Sequence, residues 1–176
     1  MNKIAIIFGT DSGNTRRIAK QIAKLLGPER CHTPIYIAKL TLDEFMSYDH
    51  FILGTPTYGD GVLPGVNTGT LQPSWAEFVV HLKDANLSGK RFAIYGVGDQ
   101  KKYDKSFVDG IYQLYQPLKA AGAEIIGQWP DKEYQFTSSA AYIDGKFIGL
   151  PLDQDNQKEL TDTRVQCWVD QLLAGF

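Results

Sequence analysis

Cysteine is scarce in this 176-residue chain: only Cys31 and Cys167 occur, they form no C-x-x-C pair, and no histidine stands at ligand spacing from them. A disulfide framework and a metal scaffold are both poorly supported, and the two thiols fit a reducing compartment. A surplus of either charge is missing too, since 18 Lys and Arg face 20 Asp and Glu. Nucleic-acid affinity rests on neutralising phosphates, and no basic block is present to do it. No apolar run of about 18 residues exists to span a membrane, and Met1-Asn2-Lys3 leads directly into a strand-like segment without a leader-type apolar region. These absences point to a cytoplasmic protein. Length favours one domain across residues 1–176, able to bury roughly 70% of its unfolded surface without staples.

What is present alternates between two periods. Ile4 to Phe8, Phe51 to Leu53 and Arg91 to Val97 are short apolar runs, each ended by or followed by glycine. Such runs are the signature of strands buried on both faces, as in parallel sheets. Pro34 to Ile37 and Glu124 to Trp129 are further strand candidates. Between them lie helical stripes: Ile18, Ile22, Leu25 and Leu26, stopped by Gly27 and Pro28; Trp75, Phe78, Val79 and Leu82, opened by the S-x-x-E capping box Ser74 to Glu77; and Phe107, Ile111, Leu114 and Leu118, with Pro117 expected to kink or end the helix. A short helix is expected over Leu42 to Tyr48, and a last one buries Val165, Trp168, Val169 and Leu172, with Thr161 as its cap. The alternation implies an α/β fold with a doubly wound parallel sheet. One stretch breaks it: Pro130 to Lys146 is long, polar and aromatic, and interrupts the last strand before Phe147 to Leu150 resumes it.

In such a sheet ligands bind beyond the carboxyl ends of the strands, and three loops there are unusual. Thr10-Asp11-Ser12-Gly13-Asn14-Thr15 offers hydroxyls, a glycine and the free amides of a helix start, a combination suited to a phosphate dianion. It lacks the spacing of a nucleotide P-loop, and an ordinary capped turn is the plain alternative. Pro56-Thr57-Tyr58-Gly59-Asp60-Gly61 sets a ring beside two glycines whose peptides can rotate at low cost. Gly96-Val97-Gly98-Asp99 leads to a second ring, Tyr103. Singly each tyrosine reads as an edge-of-core residue; as a pair on glycine-rich loops they suit a planar ligand between them.

At these loops the chain resembles the flavodoxins. Thr10 to Thr15 matches that family's T-x-[ST]-G-x-T phosphate loop, Pro56-Thr57-Tyr58 its first flavin loop, and Gly98-Asp99-Gln100 with Tyr103 its second. Gly145 to Leu150, Leu152 to Gln157 and Leu160 to Arg164 are similar to the C-terminal third of the long-chain members, and Pro130 to Lys146 to the loop that splits their fifth strand. The resemblance implies a flavodoxin-like five-stranded sheet of order 2-1-3-4-5 with helices on both faces. It also implies a monomeric carrier holding FMN noncovalently and cycling mainly between semiquinone and hydroquinone at low potential, with no substrate turnover of its own. Thr10, Asp11, Ser12, Gly13, Asn14 and Thr15 would hold the phosphate, Tyr58 and Tyr103 would cover the two flavin faces, and the Gly59–Asp60 peptide would rotate toward N5. Gly61, Gly96 and Gly98 would let the backbone approach, and Asp99 would meet the pyrimidine edge. A flavodoxin reductase is the implied donor. The loop Gly61 to Pro73 is similar to an insertion in the nitrogen-fixation members, which makes the nitrogenase iron protein one implied acceptor among reductively activated enzymes. An NAD(P)H:quinone oxidoreductase on the same fold is the enzymatic alternative, but it needs an open flavin face where Tyr103 would lie. The near balance of charge implies weaker whole-molecule steering than the family's usual acidity provides.

Overall fold

The computed structural model describes residues 2–9 and 13–176. Its parallel sheet is built from β1 (Ala5–Phe8), β2 (Ile35–Tyr36), β3 (His50–Pro56), β4 (Arg91–Val97) and β5 (Glu124–Ile126), in the order β2-β1-β3-β4-β5. The order 2-1-3-4-5 expected from the sequence is thus present. α1 (Asn14–Leu26), α2 (Leu42–Met46), α3 (Trp75–Phe78), α4 (Asp109–Ala120) and α5 (Thr161–Leu173) surround it. Strand alternation sends side chains to two cores. Ala5, Ile7, Phe51, Leu53, Phe92 and Ile94 meet α3 and α4 on one face; Ile6, Phe8, Ile52, Ala93 and Tyr95 meet α1 and α5 on the other.

The fifth strand is split, as the polar insert implies. β5 pairs with Arg91 to Ala93 of β4, and a second piece, β8 (Leu150–Leu152), pairs with Tyr95 to Val97 farther along the same strand. Between them β6 (Tyr142–Ile143) and β7 (Lys146–Phe147) form a small antiparallel hairpin. The expected resumption at Phe147 is therefore late by three residues. Phe147 exchanges both backbone hydrogen bonds with Trp129, at 2.8 and 2.9 Å, and lies buried among Phe107, Tyr134, Phe136 and Tyr142. Gly149 then passes so close to β4 that a β-carbon there would stand 2.2 Å from the Ile94 carbonyl oxygen. β5 likewise stops at Ile126 rather than Trp129, because Gly127 turns left-handed (φ 83°) beneath α5.

Three helix expectations need adjustment. The stripe after Trp75 makes one α-helical turn and continues as a 3-10 helix over Val79–Asp84; of the expected Ser74–Glu77 capping box the carboxylate half forms, with Ser74 N donating to Glu77 Oε2 at 2.7 Å, while the Ser74 hydroxyl has no partner among the described residues. α4 begins at Asp109, after Phe107, and runs through Pro117 to Ala120. The missing proline donor costs only one bond, to the Gln113 carbonyl, and the Ala121 amide closes the turn on Pro117 O at 3.0 Å. Thr161 is the first helical residue of α5 rather than its cap, and its hydroxyl accepts from the Gln154 side chain.

Candidate functional site

The carboxyl ends of β1, β3 and β4 carry the loops singled out above. Thr10, Asp11 and Ser12 lie outside the described residues. Gly13 is left-handed (φ 83°) at the start of α1, and Arg16 and Arg17 follow in its first turn with no acidic residue there. Cations at a helix amino terminus oppose the helix dipole, so this start is matched to an anion rather than to itself. Thr15 is fully buried, and its Oγ1 has no hydrogen-bond partner among the described residues. A buried hydroxyl left unpaired costs about 1–3 kcal/mol. Its carbonyl accepts from Tyr95 Oη at 2.7 Å, which pins the first turn of α1 to β4. Tyr95 in turn fills the space above Gly54, where a β-carbon would stand 2.1 Å from its ring. Burial raises the Tyr95 hydroxyl well above the usual phenol range, so it stays a donor. Asn14 is half-buried, its side-chain oxygen accepting from Arg17 at 2.8 Å.

After β3, Tyr58 and Val62 pair through 2.8 and 2.9 Å backbone bonds, leaving Gly59, Asp60 and Gly61 as a tight turn. Gly59 (φ 47°) and Asp60 are exposed, and a β-carbon at Gly59 would meet nothing within 4 Å. The glycine is required there by backbone conformation alone, the property a rotating peptide needs. Gly61 differs: it is buried, and a β-carbon would lie 2.8 Å from Asp109 Oδ2. Thr57 Oγ1 accepts from the Gly110 amide at 2.9 Å, and Gly110 approaches the Pro56 carbonyl, so Pro56 and Thr57 seat the start of α4.

After β4, Gly96 and Gly98 admit α4. A β-carbon on Gly96 would be 2.5 Å from Ile111, and one on Gly98 3.1 Å from Val108. Val108 itself holds φ 50°, an unusual state for a buried β-branched residue. Asp99 Oδ1 accepts from Lys102 N, Lys101 N and Asn156 Nδ2 at 2.8–3.0 Å. Burial pushes its carboxyl up, but these bonds outweigh it and hold the group below the ordinary value. That oxygen is thereby committed to shaping the loop that presents Tyr103, whose ring is 38% exposed with Lys102 Nζ 5.3 Å from its centre.

Residues outside the sequence-derived set complete the second loop. Asp153, fully buried, accepts from Gln100 N, Gln100 Nε2, Asp155 N, Asn156 N and Asn156 Nδ2. Gln100 Oε1 accepts from Gln135 N of the insert at 2.5 Å. The insert also braces α4 and its approach: Thr137 N and Ser138 N donate to Asp104 O, Ser139 Oγ to Phe107 O, and Ala140 N to Asp109 Oδ1. The sequence hinted at these partners only through the D-Q-D-N run; their meeting is long-range. Among the described residues no cluster suits a metal ion, and no helix is long and apolar enough to cross a membrane.

The chain is similar to known proteins over its whole length. The family model for flavodoxin matches residues 6–168. A flavodoxin of Klebsiella pneumoniae is 48% identical over 172 residues, covering 98% of this chain and 97% of its own. Flavodoxin 1 of Azotobacter vinelandii is 34% identical, covering 100% and 98%. The structure of Fusobacterium nucleatum flavodoxin bound to flavin mononucleotide superposes with a TM-score of 0.89 at 27% identity, covering 100% of this chain and 99% of that one.

Proposed function

Because the chain belongs to the flavodoxin family, we propose that it is a one-electron carrier working through noncovalently held FMN, passing electrons to partner proteins without substrate turnover of its own. The observation that carries this reading is the buried Thr15 hydroxyl in the first turn of α1, a donor with no partner among the described residues. When bound, FMN supplies the one-electron chemistry. The protein's part is to hold and tune it. The α1 amides and Thr15, with Thr10, Ser12 and Asn14, would hold the phosphate; Tyr58 and Tyr103 would flank the ring; the Gly59 carbonyl, once its peptide rotates, would accept a hydrogen bond from a ring N–H; and Asp60 and Asp99 would oppose a further negative charge. That repulsion lowers the second couple, ~59 mV for each ~1.4 kcal/mol. A flavodoxin reductase is the proposed donor, and an enzyme activated by low-potential reduction the acceptor, the nitrogenase iron protein being the candidate suggested by residues 61–73. The quinone-reductase alternative needs an open flavin face, which in this reading Tyr103 would cover. Apoprotein titrated with FMN while flavin fluorescence is followed should show stoichiometric quenching, and reductive titration of the complex should resolve two separate one-electron steps. Failure to bind FMN, or rapid NADPH oxidation with benzoquinone and no added reductase, overturns the proposal.

A further inference from the structure

A hollow of about 650 Å³ opens on the β2 side of the α1 start, sharing Gly13 and Arg16 with it and extending between α1, the end of β2 and the 61–73 loop. Its floor is apolar: Phe8 and Tyr36 stack with ring centres 5.7 Å apart, and Leu71 closes one side. Its rim is cationic. Arg16 and Lys20 sit one helical turn apart, on one face of α1, with Lys39 across from them, and no described carboxylate lines the hollow. None of the three cations joins an ion pair or hydrogen bond among the described residues. Leu71 is 96% exposed, the most exposed large apolar side chain described. It is not there by slackness. The loop is tied by Thr68 Oγ1 to Leu63 O at 2.8 Å, by Thr70 Oγ1 to Gln72 O at 2.6 Å and by Val66 N to Glu77 Oε1 at 2.8 Å, so Leu71 is presented on a bonded frame.

We propose that this hollow is a docking surface for an acidic segment of a partner redox protein, carboxylates meeting Arg16, Lys20 and Lys39 while an apolar side chain enters between Tyr36 and Leu71. Only the word redox rests on the carrier reading; the docking chemistry stands without it. Charge complementarity selects the occupant. In a chain whose total charge is −2, three cations with no ion pair among the described residues, around one apolar floor, form a local field opposite in sign to the whole. A protein segment suits the site better than a small anion. The cations are spread over a full turn of α1 and the segment after β2, and Leu71 is almost wholly exposed, so an extended surface covers what a single small anion would not. An apolar centre with a charged rim is the ordinary anatomy of a protein interface.

The test uses the FMN-loaded protein and a short synthetic peptide alternating glutamate and aspartate with leucine, followed by amide NMR shifts at low salt. Shifts should centre on Arg16, Lys20, Lys39 and Leu71. The triple variant R16E/K20E/K39E should weaken binding about tenfold or more, and L71A several-fold at unchanged charge. The control K101E/K102E/K105E carries the same net charge as the first triple but alters the cations around Tyr103; it should stay within about twofold of the parent. If R16E impairs FMN loading, K20E/K39E carries the same comparison. Equal weakening by both charge reversals, a shift map centred on Tyr103, or no binding at low salt overturns the proposal. FMN absorbance of the starting protein reports separately on the carrier reading.

Discussion

Replacing Thr15 by valine separates the site from the fold because the two consequences have opposite signs. Thr15 is fully buried, and its Oγ1 finds no partner among the described residues. In the apoprotein the hydroxyl is therefore a liability of about 1–3 kcal/mol, partly relieved by any water that reaches it. Valine keeps the shape and the β-branched preference and removes that liability. The apoprotein should become more stable by about 1 kcal/mol, a rise of ~2–4 °C in Tm for a chain of this size. FMN binding should move the other way. A hydrogen bond to a charged phosphate contributes about 1.5–3 kcal/mol, so the dissociation constant should rise about 10- to 150-fold. Calorimetry of the apoprotein and fluorescence titration with FMN read the two effects independently. Riboflavin, which lacks the phosphate, should bind both proteins equally. A destabilised apoprotein would mean the hydroxyl is satisfied in the protein, and unchanged FMN affinity would mean it does not meet the phosphate; either result refutes the reasoning.

Three further outcomes are expected. Asp153→Asn places donors opposite Gln100 and Asn156, where the carboxylate now accepts five bonds; a loss of about 3 kcal/mol and faster hydrogen exchange at the Gln100 amide should follow, and an unchanged Tm would count against the network. Burial raises the Asp109 carboxyl above its ordinary value against opposing bonds from Ala140 N and Ser139. The folded state thus keeps that proton to higher pH than the unfolded chain, stability falls as pH rises through the window above the ordinary value, and Asp109→Asn should raise Tm at pH 7 but hardly at pH 4; an equal gain at both would sink the assignment. Gly54→Ala drives a methyl to 2.1 Å from the Tyr95 ring, so overpacking of about 1–3 kcal/mol should appear in the melt, and FMN affinity should fall with it because Tyr95 Oη holds the Thr15 carbonyl. Retained affinity would show that β4 does not position the phosphate loop.

Most of the sheet was legible because its strands are buried on both faces, which leaves runs such as Ala5-Ile6-Ile7-Phe8 with only one reading. The split fifth strand was legible as a polar interruption, but its rejoining point was not. Apolarity marks Phe147 and Leu150 alike; what distinguishes them is that Phe147 pairs with Trp129 whereas Leu150 pairs with Tyr95, and partner choice has no local signature. Pro117 misled for a related reason, since the cost of an interior proline depends on which carbonyl loses its donor, and here it falls one turn from the helix end. In the site, the three loops stood out because glycine beside hydroxyl or aromatic residues is locally odd. The sequence could not separate glycines needed by conformation from glycines needed by packing. Gly59 belongs to the first kind, while Gly96 and Gly98 make room for α4.

That distinction bears on what the long insert does. Tyr103 lies on an exposed loop that its own strand does not immobilise, yet a ring stacked on a ligand must be held still to contribute to affinity. The holding comes from elsewhere. Asp99 caps the loop from within and reaches Asn156; Gln100 is gripped by Asp153 after the split strand and by Gln135 in the insert; Asp104 O takes Thr137 N and Ser138 N; Asp109 takes Ala140 N. Four anchors between residues 99 and 109 thus lead into the insert or into the turn after β8. The chain interrupts its fifth strand, and the segment gained by the interruption is spent on fixing the loop that carries Tyr103. The same logic reaches the loop after β3, because Asp109, anchored by Ala140, also lies against Gly61. Loosening the insert should therefore disturb both rings of the cleft while leaving the α1 end, with Thr15 and Gly13, unaffected.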